Sequence, residues 1–183
     1  FGLPLPLIAS QILWVNLVTD GLVDMPLAFE PGHGDVLNQK PRAKDENILS
    51  KEMLGFLAPI VLCMVISSLW MFVDLLPQGI EKARTGTFLV ICLTQLINIF
   101  NMRSFDRSLF SIGFFSNKYL LAAVLGSLII LYLALTNEFL VNIFSFVPLD
   151  RREVIEAIAL SSLVLVVGEL YKLRQNSINK NKV

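Results

Sequence analysis

Five long apolar runs constrain the fold of this chain more than any other feature of its sequence. Each run approaches the ~20 residues of helix that are needed to cross a bilayer. Inside lipid every backbone polar group must be paired within the protein, which an open sheet cannot achieve, and the runs do not alternate as strands do. The sequence therefore predicts an all-α, polytopic membrane bundle of five transmembrane helices, at approximately residues 6–29, 53–76, 85–102, 119–137 and 152–173.

The composition agrees with a membrane protein. Hydrophobic residues make up 55% of the chain and its mean hydropathy is +0.67, above the values of ordinary soluble domains. The formal net charge is zero, which gives no basis for binding nucleic acid, and the lipid bilayer is the expected surrounding. The chain starts at Phe1 without a basic segment before its first apolar run, so we expect a piece of a longer protein and no signal peptide.

The distribution of positive charge predicts the orientation. The loop at residues 30–52, the loop before the fourth run and the C-terminal tail hold most of the Lys and Arg residues. Cytoplasmic loops carry this excess, so these three segments, and with them the C-terminus, are expected in the cytoplasm. Short loops and a short basic end favour a bacterial inner membrane.

Local signals mark several helix ends. Asp150 followed by Glu153 resembles a capping box at the start of the last helix. Ser50 is a candidate N-cap for the second helix, and Pro77 and Gly79 are expected to end it.

Polar residues interrupt the first apolar run in a regular pattern. Asn16, Asp20 and Asp24 are spaced four residues apart, which places them along one face of a helix, and Thr19 lies beside Asp20. A carboxylate near the bilayer centre costs about 2.5–3.5 kcal/mol on insertion scales, so such residues usually have a function. A hard cation prefers oxygen ligands, and these residues offer carboxylate, amide and hydroxyl oxygens. Gly21 weakens the helix and exposes backbone carbonyl oxygens as further ligands.

Other polar residues have more than one interpretation. Gln95, Asn98 and Asn101 share a face of the third predicted helix, where they could ligate an ion or only join helices by hydrogen bonds. Asp24 could be hydrated at the membrane–water interface. For Glu169, the sequence favours a position at this interface over a functional role. Cys63, Cys92 and His33 lack neighbours at metal-ligand spacing, which favours buried thiols and a solvated loop histidine.

The polar stripe belongs to a longer stretch that resembles a known family. The family motif is seen in QILWVNLVTDG followed by LAFEP, in LNQKPRAKDENILSKEM and in VPLDRREVIEAIALSSLVLVVGELYKL. These segments are similar to helix six, the loop after it and helix ten of type II P-type cation-transporting ATPases, which include calcium pumps. Lys40-Pro41-Arg42 departs from the usual Pro-Pro-Arg. The resemblance implies that residues 1–183 are the C-terminal transmembrane domain, helices six to ten.

The resemblance also implies a set of ion ligands. Asn16 and Asp20 fall on the ligating Asn and Asp of helix six, and Thr19 falls on a threonine that pumps with two calcium sites also use. Gln95 stands where two-site pumps carry glutamate and single-site pumps carry glutamine, which implies one Ca²⁺ per cycle. Asp24 has no counterpart and stays an additional candidate ligand.

The implied activity is ATP-driven alternating access with Ca²⁺ as the transported ion. The sequence contains no DKTGT, TGE or GDGxND motif, so no catalytic residue is expected in this chain, which should not hydrolyse ATP by itself. ATP and Mg²⁺ would bind to the cytoplasmic domains of the parent protein, and those domains and transmembrane helices one to five are the expected partners. The alternatives are the same family pumping Mn²⁺, Na⁺ or H⁺, and a non-enzymatic membrane scaffold or channel subunit.

Overall fold

Helices form about four fifths of the described chain. The computed structural model describes residues 2–30, 51–105 and 107–180, without the side chains at positions 19, 20, 51, 52 and 178–180. The described residues contain no strand. The helices are α1 (Ala9–Trp14), a π-helix (Val15–Asp20), α2 (Gly21–Leu27), α3 (Lys51–Leu75), a 3₁₀ turn (Leu76–Gln78), α4 (Ile80–Met102), α5 (Leu109–Ile112), α6 (Lys118–Thr136), α7 (Glu138–Phe144) and α8 (Arg151–Lys180).

The all-α prediction is confirmed, but the number of uninterrupted spans differs from five. Within the described residues, four helices are long and apolar enough to cross a membrane: Met53–Gln78, Ile80–Met102, Lys118–Thr136 and Arg151–Ser177. The first predicted helix, at residues 6–29, is helical from 9 to 27 but divided into α1, the π-helix and α2. The π-helix replaces the regular α-helical turns that the i, i+4 pattern predicts.

The ends of two long helices lie beyond the predicted limits. α4 begins at Ile80 rather than at residue 85, and α8 continues to Lys180 rather than ending at 173. Lys82, in the first turn of α4, lies 2.7 Å from Glu153 and 3.5 Å from Asp150, so a charged residue can stay in the helix at the bundle end. The predicted Ser50 cap, His33 and most of the loop 30–52 lie outside the described residues.

Helix α4 forms the centre of the bundle and packs against α3, α6 and α8. Met71 and Phe72 of α3, Phe88 of α4 and Ala157 of α8 are buried in one apolar cluster. A second cluster joins α2, α4 and α6 through Val23 and its neighbours. The helix that carries Asn16 and Asp20 is therefore attached to the bundle along one side.

Polar contacts tie the helices together at one end of the bundle. Arg84 donates to the carbonyl of Leu5 at 3.0 Å, and Thr85 accepts from the backbone N–H of Val147 at 3.0 Å. The backbone N–H of Asp150 donates to the carboxylate of Glu153 at 2.7 Å, the half of the predicted capping box in which the N3 side chain bonds the N-cap backbone. These contacts fix the segments that connect the long helices.

Candidate functional site

The π-helix coincides with the predicted ion ligands. Asn16, Thr19 and Asp20 all belong to Val15–Asp20, the only π-helical segment within the described residues. A π-helix bonds i to i+5 and makes a wider turn than an α-helix, and such turns occur frequently at functional sites. Gly21, which the sequence marks as the weak point, directly follows this segment and begins α2 in a regular helical conformation.

Asn16 and Asp24 lie on the opposite side of their helix from its packed face. Val15, Val18 and Val23 are buried against the bundle, whereas Asn16 and Asp24 are exposed. The side chains of Thr19 and Asp20 are outside the described part of the structure, so their directions stay a prediction. The valines anchor the helix, and the described polar groups face away from the helices of this chain.

The described residues contain no cluster of the side chains that most often hold metal ions. Within residues 2–30, 51–105 and 107–180, no three His, Cys, Asp or Glu side chains come together. Asn16 can supply an amide oxygen, and Asp24 can supply carboxylate oxygens one or more turns away.

The polar stripe on α4 divides into two parts. Asn101 is buried, and its amide donates to Asn98 at 3.1 Å and to the carbonyl of Val164 on α8 at 3.0 Å. These two asparagines therefore serve the helix–helix interface, as one of the two interpretations predicts. Gln95 is half-buried on the helix that packs against the π-helix, and its role as a ligand stays a prediction.

Both ends of the helix at residues 9–27 are held by buried polar side chains. At the first end, Gln11 is 0% exposed, donates to the carbonyl of Phe144 at 3.0 Å and accepts from the N–H of Ile8 at 3.2 Å. Trp14 packs edge-on against the ring of Phe144, with centroids 4.9 Å apart. The segment that contains Asn16 is thus tethered one turn before it begins.

Just after the C-terminal end of the same helix, at residue 27, Glu30 binds the buried side chain of Arg103. Nε of Arg103 lies 2.9 and 3.1 Å from the two carboxylate oxygens of Glu30, and the Arg103 side chain is 0% exposed. The amide of Asn117 donates to Glu30 at 2.8 Å and to the carbonyl of Pro26 at 3.1 Å. The sequence pattern did not indicate Arg103 or Asn117 as site residues, and Gln11 and Glu30 had a signal only as parts of the family motifs QILWVNLVTDG and LAFEP.

A separate buried ion pair lies near the end of α8. Nζ of Lys172 is 3.0 Å from Glu169 and 5.7 Å from the ring centroid of Phe56, and its side chain is 0% exposed. Glu169 also accepts from the hydroxyl of Ser108 and from the N–H of Leu109 at 3.1 Å. Glu169 is therefore buried in the bundle and held by three partners, whereas the interfacial position that the sequence favours stays a prediction.

Comparison with known protein families shows the family to which this chain belongs. The family model for the C-terminus of cation transporting ATPases matches residues 4–174. This is most of the chain, from before α1 to beyond Lys172 in α8. The chain belongs to this family. It is thus the C-terminal part of a cation-transporting ATPase and an integral, multi-pass membrane protein.

Relatives with similar C-terminal parts come from bacteria, fungi and mammals. A calcium-transporting ATPase of Bacillus subtilis is 34% identical over 92% of this chain, and calcium-transporting ATPase 1 of Saccharomyces cerevisiae is 32% identical over 94%. The mouse calcium-transporting ATPase type 2C member 2 is 31% identical over 98%. The chain spans about a fifth of the length of these relatives: 19%, 18% and 19%.

Proposed function

We propose that the parent protein is an ATP-driven pump that carries Ca²⁺ out of the cytoplasm, and that this chain supplies part of its intramembrane ion site. In this proposal the chain forms transmembrane helices six to ten. Helices one to five and the cytoplasmic domains, which would bind ATP and Mg²⁺, belong to the rest of the parent. The names of the relatives support calcium as the transported ion.

The π-helix gives the strongest structural support. The π-helix contains Asn16, Thr19 and Asp20. These are the residues that the sequence resemblance assigns as ion ligands. The wider π turn frees backbone carbonyls to add to the amide and carboxylate oxygens, which suits the six to eight oxygens that Ca²⁺ prefers. Because Asn16 and Asp24 face away from the described helices, the remaining ligands would come from helices of the parent that pack on this side.

The proposal assigns different roles to the polar residues. Asn16 and Asp20 bind the ion directly, and Thr19 contributes its hydroxyl or carbonyl oxygen. Asp24 is an additional ligand or an entry-side charge. Gln95 is neutral where a second site would need a carboxylate, so the pump carries one Ca²⁺ per cycle. The C-terminus lies in the cytoplasm, and the membrane is a bacterial inner membrane.

Calcium-dependent ATP hydrolysis by the full-length parent in membranes tests this function. Wild type should respond to micromolar Ca²⁺, and Asp20→Asn should abolish the response because an anionic ligand is lost. Asp74→Asn is the matched control, since Asp74 is an exposed carboxylate near the far end of α3. Stimulation by Mn²⁺ or Na⁺ but not by Ca²⁺ would change the ion, and an Asp20→Asn variant that behaves as wild type would overturn the site.

A further inference from the structure

A single buried arginine connects the end of the helix at residues 9–27 to the rest of the bundle. All five N–H donors of Arg103 have acceptors: the carboxylate of Glu30, the carbonyls of Gly113 and Phe114, and the hydroxyl of Ser116. A guanidinium that is removed from water needs its anion, so the pair cannot separate without leaving a buried charge unpaired. Glu30 is therefore held at a fixed position relative to the end of α4.

Asn117 adds a second attachment at the same point. Its amide donates to Pro26 and Glu30, and its side-chain oxygen accepts from the N–H of Leu120 at 2.9 Å. Pro26 has no N–H, so α2 lacks one internal hydrogen bond near its end. The fixing of this helix end depends on side chains from the loop between α4 and α6 more than on the helix's own bonds.

Glu30 is joined to the helix that carries the proposed ligands by a short turn, in which its N–H donates to the carbonyl of Leu27 at 3.1 Å. Glu30 lies three residues beyond Leu27, where α2 ends, and α2 follows the π-helix without a break. A helix transmits a displacement of its end along its axis, and ligand oxygens must lie within a few tenths of an ångström of their places. Any shift of Glu30 would reach Asn16 and Asp20.

We propose that Arg103 is a positioning residue for the cation site. By binding Glu30 it sets the height and rotation of the ligand helix, and so the affinity for the transported ion, without touching the ion itself. This inference rests on the proposed function. It concerns a contact between the segment just after α2 and the α4–α6 loop, which lies outside the π-helix that holds Asn16, Thr19 and Asp20.

The structure supplies a control of the same chemistry in the same half of the bundle. Lys172 is equally buried and paired with Glu169, but its contacts are with α8 and α3, neither of which carries a proposed ligand. Removing either cation leaves a buried carboxylate unpaired. Only the loss of Arg103 weakens the attachment of the helix at residues 9–27, which Asn117 and Gln11 then hold without it.

The test uses the full-length parent in membranes and compares wild type with Arg103→Gln, Arg103→Lys, Glu30→Gln and Lys172→Met. Two quantities are measured: the Ca²⁺ concentration for half-maximal ATP hydrolysis and the kcat per phosphorylated pump. For Arg103→Gln we expect a 3- to 30-fold rise in half-maximal Ca²⁺, about the range found for mutations that couple to a distant site, with kcat within about twofold.

The other variants separate positioning from stability. Arg103→Lys keeps the charge but not the five-donor geometry, so it should raise the half-maximal Ca²⁺ concentration less than Arg103→Gln does. Glu30→Gln keeps hydrogen bonds without the charge and should also give a smaller rise in this concentration. Lys172→Met should lower the amount of folded pump and leave the half-maximal Ca²⁺ unchanged. If Arg103→Gln fails to accumulate, Arg103→Lys and Glu30→Gln provide the measurement.

Three results would overturn the inference. One is an unchanged half-maximal Ca²⁺ in the Arg103 and Glu30 variants. Another is an equal rise in Lys172→Met, which would show general loosening of the bundle end. A wild type that does not respond to Ca²⁺ would instead refute the proposed function, and this inference with it, so the two failures are distinguishable.

Discussion

Asn101 and Gly168 make a contact between α4 and α8 that leaves no room for a side chain on the glycine. A Cβ at Gly168 would lie 2.6 Å from Nδ2 of Asn101 and still closer to its Oδ1. The same amide donates to Val164, one turn earlier on α8, at 3.0 Å. Small residues that let backbones approach, combined with a polar residue that bonds across, are typical of helix interfaces in membranes.

Gly168→Ala should therefore destabilise the bundle. The methyl group must displace a buried amide that is held by two hydrogen bonds, and such overpacking costs about 1–3 kcal/mol. The melting temperature of the detergent-solubilised parent should fall. Gly126→Ala is the control, because nothing lies within 4 Å of a Cβ at Gly126 in α6, and alanine is the better helix former. Equal melting temperatures for the two variants would contradict the contact.

Lys172→Met should destabilise the protein more than Gly168→Ala. The variant leaves Glu169 buried without its cation, a change that typically costs about 3–5 kcal/mol. The double variant Lys172→Met/Glu169→Gln should recover part of the loss, because the charge is removed while the amide oxygen can still accept from Leu109 and the NH2 group can donate to the hydroxyl of Ser108. Thermal unfolding of the three proteins measures this coupling. A double variant less stable than Lys172→Met would show that the carboxylate is not the source of the penalty.

The sequence predicts the long helices because their formation depends on local properties. In α3, α4, α6 and α8, apolar length alone specifies a spanning helix in lipid. The π-helix at Val15–Asp20 could not be predicted, since its residues fit an α-helical pattern equally well. The short helices α5 and α7 are too brief for a periodic signal.

The candidate site was predictable only in part, for a similar reason. Asn16, Thr19 and Asp20 are identifiable because polar residues are costly inside an apolar run. Arg103 and Glu30 are 73 positions apart and each lies just outside such a run, where charged residues are expected. Their pairing depends on the three-dimensional arrangement of α2 and α4, which no local pattern contains.

The orientation can be tested by labelling introduced cysteines. Gln78 and Ser177 are both exposed and lie at opposite ends of the bundle, in the turn between α3 and α4 and near the end of α8. In sealed right-side-out vesicles, an impermeant maleimide should label Gln78→Cys directly and Ser177→Cys only after permeabilisation, because the positive charges place the C-terminal end inside. The parent without an introduced cysteine gives the background. Labelling in the reverse order would invert the topology.

Gln95 predicts the number of ions carried in each cycle. With a neutral amide on α4, the negative charge of this chain at the site comes from Asp20, with Asp24 as an additional candidate. Two Ca²⁺ ions in close proximity require more negative charge than one. Radioactive Ca²⁺ occluded by the phosphorylated parent should therefore amount to about one ion per phosphorylation site. Gln95→Glu should change the calcium affinity, since a carboxylate replaces the amide, whereas Gln78→Glu, outside the membrane core, should not. Two ions per site in the wild type would show that the missing charge comes from elsewhere in the parent and that Gln95 does not limit the stoichiometry.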